Sequence, residues 1–135
     1  MAEIVDKNFE VVDTIDNRTK FKEYVKNNKY VILKFSATWC KPCQNMKDIF
    51  KKYYISSLNY NDDIKLILVD IDKDSEISNL LRIRSVPTLV SYVNGDMEYV
   101  CTSSADNNIK KFFEDTILKI KSYINAQEYF TDVKY

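Results

Sequence analysis

The chain has 135 residues, 45% of them apolar and 30% charged, with 20 basic against 20 acidic side chains. One domain of this size buries roughly two thirds of its unfolded surface, so disorder as the main state is excluded and no disulfide staples are needed. Zero net charge leaves no basic surplus for a general nucleic-acid or anionic-membrane binder, and the absence of histidine excludes His-based general-base catalysis, catalytic triads and His-containing metal sites.

In chain order, Phe9 to Val12 is a short strand candidate. Asn17 or Thr19 can cap a helix running to about Lys26, with Phe21 and Tyr24/Val25 at helical spacing, and Asn27-Asn28 breaks it. Tyr30 to Phe35 is β-branched and aromatic and reads as a buried strand. After Trp39-Cys-Lys-Pro-Cys43, a helix is predicted from about Pro42 to Tyr54, because Met46, Ile49, Phe50 and Tyr53 recur at i, i+3, i+4 and i+7. Asn59 to Asp63 reads as a loop and Ile64 to Ile71 as a second buried strand. Asp74 or Ser75 caps a short helix carrying Ile77, Leu80 and Leu81. Pro87 to Val93 is a strand with its proline at the first position, where a missing N–H is tolerated. Asn94-Gly95 is the strongest hairpin signal, and Met97 to Cys101 returns as an edge strand. Ser104 or Asp106 caps a last helix with Ile109, Phe112, Phe113, Ile117 and Ile120 at core spacing.

The predicted order is β-α-β-α-β-α-β-β-α. This is an α/β fold with a mixed central sheet of about five strands flanked by about four helices. One domain is expected over residues 1–125, followed by a short C-terminal tail over 126–135.

The N-terminus has no basic n-region and no apolar run of seven or more, and no stretch approaches the ~20 apolar residues of a membrane span. A cytoplasmic or other reducing interior is therefore expected. Three cysteines, Cys40, Cys43 and Cys101, do not make a structural disulfide framework in such a chain. Cys40 and Cys43 form a C-x-x-C pair, which points to redox or metal chemistry. As a metal site it supplies only two ligands of four, with no histidine to complete it.

Trp39-Cys40-Lys41-Pro42-Cys43 lies between a buried strand and the start of a helix. A helix start presents unpaired N–H groups and about half a positive charge, which stabilise a Cys40 thiolate and lower its pKa from ~8.5. Pro42 suits the first turn because it needs no donor there. A spacing of three lets the two sulfurs close a small disulfide. Cys40, nearer the helix end and the solvent, is the expected attacking thiol, and Cys43, one turn further in, the resolving thiol.

These residues resemble the thioredoxin family. The resemblance is carried by Phe35-Ser-Ala-Thr-Trp-Cys-Lys-Pro-Cys43, by Ser85-Val86-Pro87-Thr88, by Val69-Asp-Ile-Asp72 and by Asn94-Gly95, and it spans about residues 8 to 122. It implies a thioredoxin fold. It also implies a cis Pro87 lying against the cysteine pair, positioning substrate backbone and keeping metal away, with Trp39, Ser85, Val86 and Ser103 around the substrate groove. The implied activity is reduction of protein disulfides through a Cys40/Cys43 dithiol–disulfide cycle. Its electrons would come from a reductase of the thioredoxin-reductase type, with no cofactor or metal bound to the chain itself. A monomer is expected, with no nucleic-acid or membrane partner.

The sequence also departs from the family pattern. The buried Asp found six residues before the first cysteine is Lys34 here, and the Lys that pairs with it is Leu68. Asp70 is a candidate partner for Lys34. A cationic Lys34 lowers the thiol pKa values, whereas a neutral one can act as a base. Lys41 stands in place of the usual motif's Gly and also favours the thiolate. Ser85 and Ser103 replace glycines at the groove, and Asp48 replaces a kinking proline. Two alternatives to a reductase follow: a more oxidising disulfide oxidase or isomerase, favoured by Lys34 and Lys41, and a protein-interaction module with little turnover. The intact W-C-x-P-C and Pro87 argue against the module. Cys101 is read as a small core residue.

Overall fold

A computed structural model describes residues 1–132. Strand β1 (Ala2–Val5) and strand β2 (Val11–Ile15) come first. Between them Asp6 Oδ1 accepts the N–H groups of Asn8 and Glu10, and Phe9 takes a positive φ of 62°. That turn occupies the first half of the strand expected over 9–12, so pairing starts only at Val11. Helix α1 (Arg18–Asn27) is capped by Asn17, the first of the two candidates, whose Oδ1 accepts from Lys20 N–H at 2.8 Å; Thr19 and Asn27 lie inside the helix, and Asn28 closes the other end through Tyr24 O.

Strand β3 (Tyr30–Ser36) is buried on both faces up to Phe35. Helix α2 (Lys41–Asn45) and helix α3 (Lys47–Tyr60) follow. The helix expected over 42–54 is thus two helices, parted at Met46, and the second runs into the predicted loop as far as Tyr60. Asn61 then caps it, its N–H bonding to Ser57 O. Strand β4 (Ile64–Asp70), helix α4 (Ser75–Leu80), strand β5 (Thr88–Val93) and strand β6 (Asp96–Cys101) match their predicted places within one or two residues. Asp74 caps α4 through the Ile77 N–H, and Asn94-Gly95 turns the hairpin with φ of 53° and 83°. Helix α5 (Asp106–Asp132) continues through residues 126–132, read above as tail; residues 133–135 of that stretch lie outside the described residues.

The sheet order is β2-β1-β4-β3-β5-β6, with β3 and β4 parallel and the other pairs antiparallel. Six strands and five helices are described, against about five and four expected, because β1 escaped the sequence reading and one helix divides. Alternation along the strands sends side chains to two cores. On one face Ile32, Leu66 and Leu89 meet Phe50 and Tyr54 of α3 and Phe112 and Phe113 of α5. On the other, Leu33, Val69 and Val90 meet Phe21 of α1 and Ile77 of α4. No described helix is long and apolar enough to cross a membrane.

Candidate active site

The parallel strands β3 and β4 end side by side, Ser36 against Asp70. The chain leaving β3 turns at once, with Cys40 N–H bonded to Ala37 O at 3.2 Å, and delivers Cys40 as the N-cap of α2. Pro42 sits in the first turn, where its missing donor costs nothing. Cys40 and Cys43 are joined as a disulfide, their Cα atoms 5.3 Å apart. The Cys43 N–H points at Cys40 Sγ, 3.1 Å away. The same donor stabilises negative charge on that sulfur once the bond is reduced.

A small apolar cluster surrounds the pair: Ala37 beside it, with Ile71 and Val86 packed against it. The Val86–Pro87 bond is cis and Pro87 is buried. The Thr88 hydroxyl donates to Ser85 O at 2.7 Å and holds the turn that brings Val86 to the cysteines. The cysteines are more enclosed than their place in the motif suggested. Cys40 is 3% exposed and Cys43 1%, so both are buried in the disulfide, with Cys40 the less enclosed of the two by a small margin. Lys41 and Pro42 are exposed on the first turn of α2.

Trp39 is 67% exposed, yet its indole Nε1–H donates to Asp72 Oδ2 at 2.9 Å. Asp72 is held in turn by its own N–H, which bonds to Asp70 Oδ1. Asp72 was visible only as part of a pattern after β4, and nothing local in the sequence pairs it with Trp39, 33 residues earlier. Ser85 is exposed beside Val86. Ser103, by contrast, is engaged at the start of α5, its hydroxyl accepting from Ala105 N–H and Asn108 Nδ2. Cys101 is a free, half-buried thiol on the edge strand.

Lys34 is 7% exposed in the middle of β3. Its neighbours across the sheet are Leu68 and Leu89. Its Nζ lies 5.0 Å from the centroid of the Phe50 ring on α3. The expected Asp70 partner is not one. Asp70 lines the same cavity, of about 420 Å³, but among the described residues no carboxylate comes within 4.0 Å of Lys34 Nζ. Asp70 stands one pleat further along β4, opposite Ser36, and its carboxylate is turned to the loop that follows. Burial, and then the nearby Lys47 charge, push the Lys34 ammonium down to about 8.

Residues 11–115 match the family model described as Thioredoxin. A thioredoxin of Malassezia sympodialis is 36% identical over 84 residues, covering 62% of this chain and 78% of its own. A thioredoxin of Coprinus comatus is also 36% identical, over 86 residues, with 63% and 78% covered. A solved structure of Plasmodium falciparum thioredoxin superposes with a TM-score of 0.66 at 26% identity, covering 77% of this chain and 98% of that one.

Proposed function

The chain belongs to the thioredoxin family and is a thiol–disulfide oxidoreductase of the protein-disulfide reductase type, and on that premise we propose that Cys40 attacks and Cys43 resolves. The Cys40 thiolate adds to one sulfur of a substrate disulfide and expels the other as a thiolate, leaving a mixed disulfide. The Cys43 thiolate then bonds to Cys40 Sγ, and the second substrate sulfur leaves. Two electrons have passed from the dithiol to the substrate, and the chain is left in the oxidised form described above. The observation that carries this assignment is the Cys43 N–H aimed at Cys40 Sγ, which favours charge on Cys40 rather than on Cys43.

Val86 packs against the cysteine pair, and the proposed substrate groove runs past it, with the cis Pro87, the exposed Trp39 and the exposed Ser85 as its other members. In this reading an extended substrate segment lies along Val86. A reductase of the thioredoxin-reductase type restores the dithiol. The chain works as a monomer in a cytoplasmic or other reducing compartment, residues 1–125 acting as the one catalytic domain. Cys40→Ser is expected to drop reduction of a protein disulfide to background. Cys43→Ser is expected to accumulate mixed disulfides, visible as mass adducts on Cys40. Equal partner capture by both variants and the unaltered chain would count against exchange as the purpose of the site.

Lys34 supports a second reading, a more oxidising pair suited to disulfide formation or isomerisation. A cation whose field reaches a thiolate favours the reduced form. The midpoint potential of Cys40/Cys43 separates the two: near ~−270 mV the pair is a reductant, and near ~−180 mV or above it is an oxidant or isomerase.

A further inference from the structure

Lys34 is a buried charge that the exchange steps leave unused. Thr14, Glu3, Leu68 and Lys34 are direct cross-strand neighbours on β2, β1, β4 and β3, so all four leave the sheet on one face. Ser36 and Asp70 stand opposite each other two residues further along β3 and β4, on that same face. Lys47, the first residue of α3, and Lys73, in the loop after β4, complete the wall of the cavity of about 420 Å³. That volume lies within the range of small-molecule sites.

Lys34 is the buried member of this lining, whereas Glu3, Lys47 and Lys73 are exposed and mark its mouth. The Lys34 Nζ lies over Phe50 and has no hydrogen-bond or ion-pair partner among the described residues. No side-chain nitrogen or oxygen sealed from solvent there lacks a partner, so this unpartnered ammonium is reached from the cavity. Neither carboxylate answers it. Asp70 Oδ1 accepts the Asp72 N–H, and Glu3 makes no ion pair with any of the three lysines. The Thr14 and Ser36 hydroxyls donate to nothing among the described residues. The cavity thus gathers three ammonium groups and two free hydroxyls against two carboxylates. The Met1 amine adds a further cation, donating to Lys73 O at 3.3 Å. Burial, and after it the Lys47 charge, weigh against the Lys34 ammonium, and an anion set between the two lysines relieves both.

We propose that this cavity binds a phosphate group, free or carried by a small molecule, with Lys34 beneath it, Lys47 and Lys73 beside it, and Thr14 and Ser36 donating to its oxygens. The donors come from two strands, a helix and a loop, so they approach from different directions. A phosphate offers three or more oxygens on several sides and nearly two charges, whereas a carboxylate offers two oxygens in one plane and one charge. The site is independent of the redox assignment, and its test reads binding alone.

In that test, isotopically labelled full-length protein is titrated with inorganic phosphate at pH 7 and constant ionic strength. NMR follows the lysine side chains, the Lys34 signal being the one lost in Lys34→Met. The expected result is a saturable change in Lys34 and Lys47 at one phosphate per chain, with a rise in the denaturant midpoint. Lys34→Met is expected to weaken binding about tenfold or more and to abolish that rise. Lys47→Gln, at the exposed mouth, is expected to weaken binding several-fold while the core is untouched. Glycerol 3-phosphate separates the two sources: tighter binding than inorganic phosphate assigns the site to a phosphate carried by a small molecule, and equal or weaker binding to the free ion. No saturable change with either probe overturns the proposal, as does the same change with chloride at equal ionic strength. A Lys34 signal that ignores phosphate but moves in Glu3→Gln or Asp70→Asn also overturns it, because the ammonium then has its partner within the chain.

Discussion

Trp39 shows how a single side chain can be both presented and held. Its ring is in solvent, where a partner can reach it, and one hydrogen bond to Asp72 restricts its rotation. Because the chain has one tryptophan, its fluorescence reports on this side chain alone. Asp72→Ala is expected to speed depolarisation of Trp39 emission and to cost about 1 kcal/mol at most, since the bond is exposed. An unchanged anisotropy decay would show that packing, not Asp72, fixes the ring. Lys34 makes a second prediction at this scale, in stability. Below pH 8 the lysine is charged in both folded and unfolded chains, so its burial penalty is felt in full. Between about 8 and the ordinary 10.5 the folded chain has shed the proton and the unfolded chain has kept it. Stability of the unaltered chain therefore rises with pH in that window. Lys34→Met is expected to gain about 1–3 kcal/mol at pH 7, with the gain shrinking above pH 8. A gain that stays level from pH 7 to 9.5 in denaturant titrations would mean that Lys34 does not titrate there.

The elements whose ends are written in short-range chemistry were legible before the fold was known. Asn17 accepts the N–H three residues on, and Asp74 does the same for α4. Asn17→Ala is expected to lower the denaturant midpoint by an amount equivalent to about 1 kcal/mol, with Asn17→Ser close to the unaltered chain. The division of α2 from α3 was not legible. Met46, Ile49, Phe50 and Tyr53 keep helical spacing across the break, so periodicity carries no mark of it. What parts the two helices is the backbone at Met46, with φ of −92° and ψ of −1°, while its side chain is wholly buried. The far end of α3 was misplaced for the opposite reason. Asn59-Tyr-Asn-Asp-Asp63 has loop composition, yet the helix runs to Tyr60 because Tyr54 and Ser57 anchor that turn in the core.

For the molecule as a whole, β1 is the element on which the sheet's edge depends. It lies between β2 and β4 and pairs with both. Its four residues are too few for a pattern to declare itself, yet Ala2, Ile4 and Val5 are buried and feed the two cores. Without β1 the backbone of β4 becomes an open edge and β2 loses its only partner strand in the described sheet. Deleting residues 1–6 is expected to cost about 3 kcal/mol or more, from two large apolar side chains and two ladders of hydrogen bonds. Denaturant unfolding checks this, and a midpoint within error of the full chain would show β1 to be dispensable.

The sequence by itself determined the order of the central elements, the caps of α1 and α4, the Asn94-Gly95 turn and the placing of Cys40 and Cys43 at a helix start. Each of these is settled within about four residues by hydrogen bonds and backbone preference, so it is readable from neighbours alone. Tertiary structure decided the rest. Trp39 meets Asp72 only because two parallel strands end together. Cys40 is buried only because Val86 and Ile71 close over it. Lys34 is left without a carboxylate because Asp70 stands one pleat too far along its neighbour strand. Burial and charge pairing depend on distances between residues remote in sequence, and those distances exist only once the sheet has formed.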